Sequence, residues 1–393
     1  MGVLARVERG AKKRRDLLFV QSTTEIGGAE RVLLNLFAES EELRRRSLIV
    51  SLGFGNGDLP ARLRAAGAEV IELARARLRE PWRLVSVIRT LVRIVRNYGV
   101  RAVVGNGTHP QIIAGLVARL SRVRSVFVVH AIYSFPAREN GSRERLALVA
   151  PCDLMLAVSS AAQAAAARLR PGIESRVVYN GTPAKTDAPA PEVLAARTEL
   201  RVGEGEVLIG AFGRLQRSKG QDVFVKAASE VVKARPQARF AIVGGSFADL
   251  ETEYAGEIAE QISALGLSDR IVSTGFRSDV DRLMAACDVI CNPARGTESF
   301  GMTIVEAMAL ARPVIATAVG GPSEIITSED HGIIIPPDDV GAMARAMITL
   351  IDDPERRSRM GARARERVRS NFSIDTMATT LLRELDALLA RSG

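Results

Sequence analysis

The sequence of 393 residues contains few cysteines, few histidines and few aromatic residues. Its three cysteines, Cys152, Cys287 and Cys291, form no CxxC pair, which argues against a disulfide framework and against a thiolate metal site. This cysteine usage favours a reducing compartment. No apolar run is long enough to cross a bilayer, and no apolar segment that could serve as a secretory signal precedes Asp16. These absences predict a cytoplasmic protein.

The net charge of +9 hides an asymmetry between the two halves of the chain. Residues 1–185 hold 30 Lys and Arg against 15 Asp and Glu, whereas residues 186–393 hold 24 against 30. Nucleic acid is not the expected partner of the basic half, because aromatic residues are scarce and no nucleic-acid-binding motif is present. An anionic membrane surface or a phosphate-bearing acceptor fits this charge better.

Apolar runs typical of buried strands alternate with helical patterns along the chain, and the length suggests two α/β domains. Residues 180–191 are rich in Pro and Ala and poor in bulky apolar side chains, so we place the hinge there. The sequence predicts a flexible basic arm over 1–15, an N-terminal Rossmann-like domain over 16–185 and a C-terminal one over 186–372. A final helix over 373–393 is predicted to pack back on the N-terminal domain.

Residues 81–98 predict a strongly amphipathic helix. In steps of 100° per residue, its aliphatic side chains fill one half, and the other half carries Arg83, Arg89, Arg93 and Arg96. In one interpretation the apolar half packs on a sheet and the arginines face water. In the other interpretation the arginine face contacts anionic lipid.

The stretch 294–321 combines two acidic residues with the pattern of a strand, a loop, a helix and a second strand. Glu298 falls in the loop, and Gly301 precedes the helix. Glu306 falls inside the helix among apolar residues, where a charge needs a partner or a ligand. Ligands of parallel sheets bind at the carboxyl ends of the strands, and a helix N-terminus there attracts anions. We therefore predict an anion site here; the alternative is that Glu306 is a solvated helix residue.

A second loop, after the predicted strand over 207–212, carries two cations. It contains Gly213, Arg214 and Lys219 without the spacing of a dinucleotide fingerprint or a P-loop. Opposite the helix N-terminus at 302–304, the two cations would hold a diphosphate without a metal ion. The alternative is that both are ordinary surface cations.

Other signals are weaker. Gly27 and Gly28, between a strand and a helix, suit a phosphate-binding turn or a turn that simply needs glycine. His130 follows an apolar strand and is the best functional candidate among the three histidines, although a single histidine is usually structural. Asp279 and Asp281 resemble a metal-binding acidic pair, but negative charge at a helix start has a structural reason. No metal site is predicted.

Three segments resemble glycosyltransferase family 4, whose members are retaining enzymes that use nucleotide sugars. They are GGAERVLLNL, GRLQRSKGQDVFVKAA and GFRSDVDRLMAACDVICNPARGTESFGMTIVEAMALARPVIATAVGGPSEI. The resemblance covers most of residues 17–372 and is most specific over 207–335. It implies the GT-B fold, in which two doubly wound Rossmann-like domains face a central cleft and a C-terminal helix crosses back. The hinge departs from the family pattern, since Asn-Gly-Thr-Pro replaces the usual Asn-Gly-hydrophobic-Asp.

The resemblance also implies roles for individual residues. The implied catalytic residues are Arg214 and Lys219 at the donor diphosphate, Glu298 at the donor sugar and His130 near that sugar. Glu306 would hold the ribose hydroxyls. The other implied donor-binding residues are Gly27 and Gly28 at the diphosphate, Gly213 beside the cations, Phe276 and Arg277 at the base, and the backbone of Phe300, Gly301, Met302, Thr303 and Ile304.

The sequence thus predicts a retaining, metal-independent transferase that moves a sugar from a nucleotide-diphosphate sugar to an acceptor hydroxyl. No second carboxylate is placed as a nucleophile, so we expect front-face substitution assisted by the leaving phosphate. The expected acceptor is a lipid-linked or growing saccharide, reached in the cytoplasm or peripherally at the inner face of the membrane; the alternative is a small soluble acceptor. A sugar-nucleotide epimerase and a non-catalytic nucleotide-sugar-binding subunit are the alternative functions.

Overall fold

The computed structural model describes residues 14–73, 80–132, 149–245 and 252–391. Two compact units are present: an N-terminal unit that runs to Pro183 and includes the chain from Ile374 onward, and a C-terminal unit over Ala184–Ser373. Most of the predicted basic arm, residues 1–13, lies outside the described residues. Its last residue, Arg15, contacts the N-terminal unit, because its N–H donates to the Tyr98 carbonyl at 3.0 Å.

A seven-stranded parallel sheet with the order β3-β2-β1-β4-β5-β6-β7 forms the middle of the N-terminal unit. Its central strands are nearly continuous apolar runs because both faces of a parallel sheet are buried. The strands β1 to β7 are Leu17–Thr23, Ser47–Phe54, Val70–Glu72, Ala102–Asn106, Arg124–Val129, Leu154–Ala157 and Glu174–Val177. The helices α1 to α6 are Gly28–Glu39, Glu41–Arg46, Leu59–Ala65, Pro81–Tyr98, Thr108–Ser121 and Ser160–Leu169.

Helix α4 is the amphipathic helix that the sequence predicts. Its side chains Leu91, Ile94 and Val95 are buried in the core of the N-terminal unit. Gly99 ends the helix in the left-handed conformation, at φ 67°, as a C-cap glycine commonly does. The apolar half therefore packs on the sheet, and the arginines lie on the opposite, exposed side.

A six-stranded parallel sheet with the order β10-β9-β8-β11-β12-β13 forms the middle of the C-terminal unit. The strands β8 to β13 are Val207–Phe212, Ala238–Val243, Ile271–Gly275, Val289–Asn292, Val314–Thr317 and Ile333–Ile335. The helices α7 to α14 are Ala190–Glu199, Gln221–Ala234, Thr252–Ala264, Val280–Ala286, Met302–Ala309, Pro322–Ile325, Val340–Asp352 and Pro354–Asn371. The sequence predicts a helix over Leu250–Leu265, and the first two residues of that range lie outside the described residues.

The last helix, α15 (Ile374–Ala390), belongs to the N-terminal unit, as the sequence predicts. It is tied there at its start, where the Ile374 N–H donates to the Thr182 carbonyl at 3.1 Å. Near its end, Asp386 pairs with Arg46 at 2.5 Å. Among the residues described, no helix combines the length and the apolar character needed to cross a membrane.

Helix α7 is absent from the sequence prediction, which places a Pro/Ala-rich hinge over its first residues. Pro191 occupies the first turn of this helix, where a missing N–H is tolerated and φ is preset for the helix. Its Arg197 donates to the Glu206 carbonyl at 2.6 Å and pairs with Asp288 at 3.0 Å. Long-range contacts of this kind fix a segment that local composition describes as a linker.

Candidate functional site

Two loops of the C-terminal unit meet at the carboxyl ends of β8 and β11. These strands are neighbours, with Cys291 opposite Ala211. The loop after β8 ends in a 3-10 turn, Arg217–Lys219. The loop after β11 binds this turn directly, since the N–H groups of Arg295 and Gly296 both donate to the Ser218 carbonyl, at 3.0 and 3.2 Å. The predicted cation loop and the predicted acidic loop are therefore fastened to each other through their backbones.

Gly220 allows this close approach. It has a φ of +70°, and a Cβ added there would lie 2.0 Å from the Pro293 carbonyl oxygen. Only glycine combines this conformation with the space available. Gly220 is also the N-cap of α8, so the cation loop ends directly where the next helix begins.

Lys219 and Glu298, two of the predicted catalytic residues, form an ion pair at 2.5 Å. The backbone of Glu298 is fixed on both sides, because its N–H donates to the Val319 carbonyl and its carbonyl accepts from Gly321 N–H at 2.9 Å. The carboxylate is mostly shielded from water by the surrounding loop, and the Lys219 side chain is the more exposed partner. The pair thus places an anion and a cation side by side at the edge of the sheet.

Helix α11 begins directly after this loop. Gly301 precedes it in the left-handed conformation, at φ 109°. Ile304, Val305 and Ala307 are fully buried. Met302, Thr303 and Glu306 are only half-buried, and residues three or four apart share one side of a helix. Glu306 therefore lies on the open side of α11, together with its first turn.

The predicted donor-binding segment 300–304 does not offer all its groups to a ligand. The Phe300 side chain is buried and packs edge-on against Phe372, with ring centroids 5.7 Å apart. The Ile304 N–H already donates to the Gly301 carbonyl at 2.9 Å. Of this segment, the half-buried residues at 302 and 303 are the ones that open towards solvent.

Gly213 and Arg214 begin the cation loop. Gly213 has a φ of +142°, and its N–H donates to the Val243 carbonyl at 3.0 Å. The Arg214 carbonyl accepts a hydrogen bond from the Gln221 side chain at 2.8 Å. Arg214 is exposed at the same sheet edge as Lys219.

Phe276 and Arg277, predicted at the nucleotide base, follow β10. The Phe276 side chain is 82% exposed. Arg277 contacts Glu199 of α7 and binds Asp279 through two nitrogens, each at 2.8 Å. This arginine pairing holds the pKa of Asp279 well below its usual range. The guanidinium of Arg277 is thus part of an ion-pair cluster.

The acidic pair Asp279 and Asp281 is occupied by cations of the chain itself. Arg277 and Arg282 bind Asp279, and Lys185 binds Asp281. Over the part of the chain that the structure describes, no group of three or more His, Cys, Asp or Glu side chains is arranged to hold a metal ion.

In the N-terminal unit, Gly27 and Gly28 stand exposed at the start of α1. The Gly27 N–H donates to the Glu30 carboxylate at 3.2 Å, which is half of a capping box. Glu30 also accepts from the Gln21 side chain at 3.0 Å. The Glu30 carboxylate therefore fixes the first turn of α1 directly beside the two glycines.

His130 follows β5, and its Nε2 lies 2.6 Å from Asn106 Oδ1. Burial lowers the pKa of His130 to about 4, so the imidazole is neutral at neutral pH. The ring lines a small cavity of about 30 Å³ together with Asn106 and Asn180 and otherwise apolar side chains. Sequence reasoning missed Asn106 and Gln21, although a polar residue at the end of an apolar strand is a usable signal.

Family comparison accounts for both units. The model of Glycosyltransferase Family 4 matches residues 26–185, and the model of Glycosyl transferases group 1 matches residues 194–367. The chain belongs to glycosyltransferase family 4. The family resemblance predicted from sequence segments is therefore confirmed.

The chain is similar to transferases whose names give different activities. It is 32% identical over 219 residues to the lipopolysaccharide core biosynthesis mannosyltransferase LpsB of Rhizobium meliloti (strain 1021), covering 55% of this chain and 62% of that protein. It is 35% identical over 206 residues to a D-inositol 3-phosphate glycosyltransferase of Kineococcus radiotolerans, covering 49% and 47%. The match thus spans about half to three-fifths of the length of these relatives.

Among solved structures, HepE of Anabaena in complex with UDP-glucose superimposes with a TM-score of 0.83 at 25% sequence identity. The superposition covers 94% of this chain and 99% of HepE. With the two parallel sheets described above, this likeness confirms the predicted GT-B fold for the family-4 chain.

Proposed function

We propose that this family-4 protein is a retaining glycosyltransferase that moves a sugar from a nucleotide-diphosphate sugar to an acceptor hydroxyl without a metal ion. The observation that carries the proposal is the Lys219–Glu298 pair beside the open first turn of α11, with Glu306 on the same side of that helix. A cation, a helix N-terminus and two separated carboxylates suit an anionic donor with a sugar at each end.

Cleavage of a glycosyl phosphate builds negative charge on the leaving diphosphate. Lys219, the exposed Arg214 and the first turn of α11 would stabilise that charge from fixed positions. Glu306 would bind the ribose hydroxyls, and Glu298 would orient the donor sugar. Binding of this kind contributes orientation rather than bond chemistry.

The stereochemical part of the proposal is front-face substitution with net retention. The acceptor oxygen attacks the anomeric carbon on the side from which the diphosphate leaves, and a phosphate oxygen takes the acceptor proton. NMR of the first product formed tests this step. We expect the donor's anomeric configuration, and an inverted anomer contradicts the mechanism.

The donor site is tested by Lys219→Met, with Lys226→Met as a matched control. Lys226 is an exposed lysine of α8 whose contact with Asp222 measures 4.0 Å. A hydrogen bond to a charged group contributes about 1.5–3 kcal/mol, so we expect at least tenfold weaker nucleotide-diphosphate binding for the first variant only. Calorimetric titration measures both, and equal affinities refute the site.

The donor base is best identified by a thermal-shift panel of UDP, GDP and ADP sugars, because a ligand that binds the folded state raises the melting temperature. HepE has been solved in complex with UDP-glucose, and LpsB is described as a mannosyltransferase. These two proteins support a hexose donor. Addition of EDTA tests metal independence, and loss of transfer in EDTA contradicts it.

We further propose that the acceptor is a lipid-linked or growing saccharide and that the protein docks on an anionic membrane through α4. The exposed side of α4 carries Trp82, Val85, Arg89, Arg93 and Arg96 at steps of three and four residues, which form one stripe. Trp82 is 86% exposed and Val85 41%. Aromatic, aliphatic and cationic side chains on one face are typical of an interfacial helix.

Trp82 is the only tryptophan of the chain, so its fluorescence reports on this stripe alone. We expect a blue shift with vesicles of anionic lipid at low salt, little shift at high salt and none with zwitterionic vesicles. Replacement of Arg89 and Arg93 by Gln weakens the shift, whereas the same change at the exposed Arg359 of α14 does not. An equal fluorescence shift with anionic and zwitterionic vesicles contradicts docking on an anionic membrane.

A further inference from the structure

Four polar side chains form a continuous hydrogen-bonded chain in the N-terminal unit. It starts at Glu30, whose carboxylate accepts from Gln21 Nε2 at 3.0 Å. Gln21 Oε1 accepts from Asn106 Nδ2 at 2.7 Å, and Asn106 Oδ1 lies 2.6 Å from His130 Nε2. Gln21 and Asn106, the two middle members, are only 1% and 8% exposed.

The fold brings these residues together by register. β1 and β4 pair in parallel with Val20 opposite Gly105, so Gln21 and Asn106 lie side by side at the carboxyl end. β5 pairs with β4, Asn106 being opposite Val128, and His130 follows two residues later on the same face. Glu30 reaches the chain from the first turn of α1, where the capping box holds its carboxylate.

The carboxylate gives this chain a direction. A carboxylate offers only acceptors, so Gln21 must present its NH2 group to Glu30 and its oxygen to Asn106. Asn106 must then turn its NH2 group to Gln21 and its oxygen to the histidine. An oxygen accepts only from a protonated ring nitrogen, so Nε2 of His130 must carry a hydrogen.

We infer that Glu30, acting through Gln21 and Asn106, fixes the neutral His130 in the tautomer that is protonated at Nε2. The ring then presents a lone pair at Nδ1, which accepts a hydrogen bond and cannot donate one. Glu30 is thus a positioning residue. The second step, which rests on the proposed function, is that His130 receives a hydroxyl group of a sugar substrate, because a hydroxyl donates where an ether or a phosphate oxygen cannot.

The test moves the carboxylate from residue 30, at one end of the hydrogen-bonded series, to residue 106, next to His130. In Glu30→Gln the new amide donates to Gln21, which reverses both amides, so Asn106 turns its NH2 group to His130 and the hydrogen moves to Nδ1. In Glu30→Gln combined with Asn106→Asp, the carboxylate stands beside the histidine and returns the hydrogen to Nε2. Gln is accepted in the capping box, so the first variant is expected to fold. Glu39→Gln, at the exposed end of the same helix, is the matched control.

The tautomer is measured directly by long-range ¹H–¹⁵N correlation in histidine-labelled protein, where the three histidines give three ring patterns. Replacement of His109 and His331 in turn assigns the His130 signals. We expect Nε2–H in the wild type, in the control and in the double variant, and Nδ1–H in Glu30→Gln alone. The wild-type spectrum is decisive without any variant, since Nδ1–H there overturns the inference.

Sugar transfer is measured on the same four proteins. A donor facing a donor leaves two hydrogen-bonding groups unsatisfied, so kcat/KM should fall by about tenfold or more in Glu30→Gln and recover in the double variant. If kcat/KM falls in Glu30→Gln and does not recover in the double variant, Glu30 has a purely structural role and its role in positioning His130 is refuted. If the tautomer follows the predicted order while transfer does not, the tautomer assignment is supported and the contact between His130 and the sugar is refuted. If neither the wild type nor any variant transfers sugar, the proposed function is refuted, and the NMR result still decides the tautomer.

Discussion

The replacement of His130 by Gln should change how the stability of the N-terminal unit depends on pH. Burial lowers the pKa of this histidine from 6.5 to about 4. Between these two pH values His130 is therefore mostly protonated in the unfolded chain and mostly neutral in the folded chain. Between these two values the unfolded state holds more protons, and the folded state therefore gains stability as pH rises. The destabilising contribution is absent above the unfolded pKa and grows as pH falls towards 4.

The magnitude follows from the two pKa values. At pH 5 the wild type should lose about 2 kcal/mol relative to neutral pH through His130 alone, and at pH 4 and below the loss approaches 3 kcal/mol. The variant keeps a side-chain N–H that can donate to Asn106 but has no titrating group. Other groups that titrate in this range are common to both proteins, so their contributions cancel in the comparison.

The assay is hydrogen exchange of peptides from β4 and β5 at pH 7.5 and pH 5, supported by thermal unfolding at both values. For a unit of this size 1 kcal/mol corresponds to about 2–4 °C, so the melting temperature of the wild type should fall by about 4–8 °C more than that of the variant. A constant offset between the proteins reflects lost packing and has no bearing on the result. Parallel pH dependence of the two proteins refutes a buried neutral imidazole.

Two further predictions concern the C-terminal unit. Gly220→Ala adds a Cβ at a φ of +70° and 2.0 Å from the Pro293 carbonyl, so it should destabilise the unit by about 3 kcal/mol, whereas Gly266→Ala, at φ +67° with open space, should lose about 1 kcal/mol. Urea unfolding measures both, and equal losses contradict the close approach of the two loops. Tyr254→Phe removes a buried hydroxyl that donates to Asp222 at 2.9 Å, so it should lose about 1 kcal/mol; an unchanged urea midpoint refutes this contact.

Much of the fold could be predicted from the sequence because parallel strands are buried on both faces. Such strands are short apolar runs, and β1, β8 and β11 are evident as runs of this kind. The separation of Glu298 in the loop from Glu306 in the helix was also predictable, since glycine at 301 precedes the helix and apolar residues surround Glu306.

The remaining features depend on contacts between distant parts of the chain. Helix α7 has a weak apolar face, with Ala196 as its buried residue, and its Arg197 finds partners near residues 206 and 288. The engagement of Arg277 with Glu199 follows from that helix, so a prediction that missed α7 left Arg277 free for a ligand. In the same way, the chain from Glu30 to His130 depends on strand register, which no local pattern reveals.

The two units fix their polar groups by different physical means. In the C-terminal unit, backbone contacts do so: the Ser218 carbonyl accepts two N–H groups, and Gly220 lets Pro293 approach within the space of a missing Cβ. Lys219 and Glu298 inherit their positions from these loops, so conservative changes of either side chain leave the loops intact. In the N-terminal unit the side chains themselves hold His130, and by the inference above Glu30→Gln should reverse the hydrogen bonds between residue 30 and the ring. Function in the C-terminal unit should therefore be most sensitive to atoms added at the backbone contacts. Function in the N-terminal unit should be most sensitive to the identity of the hydrogen-bonding groups.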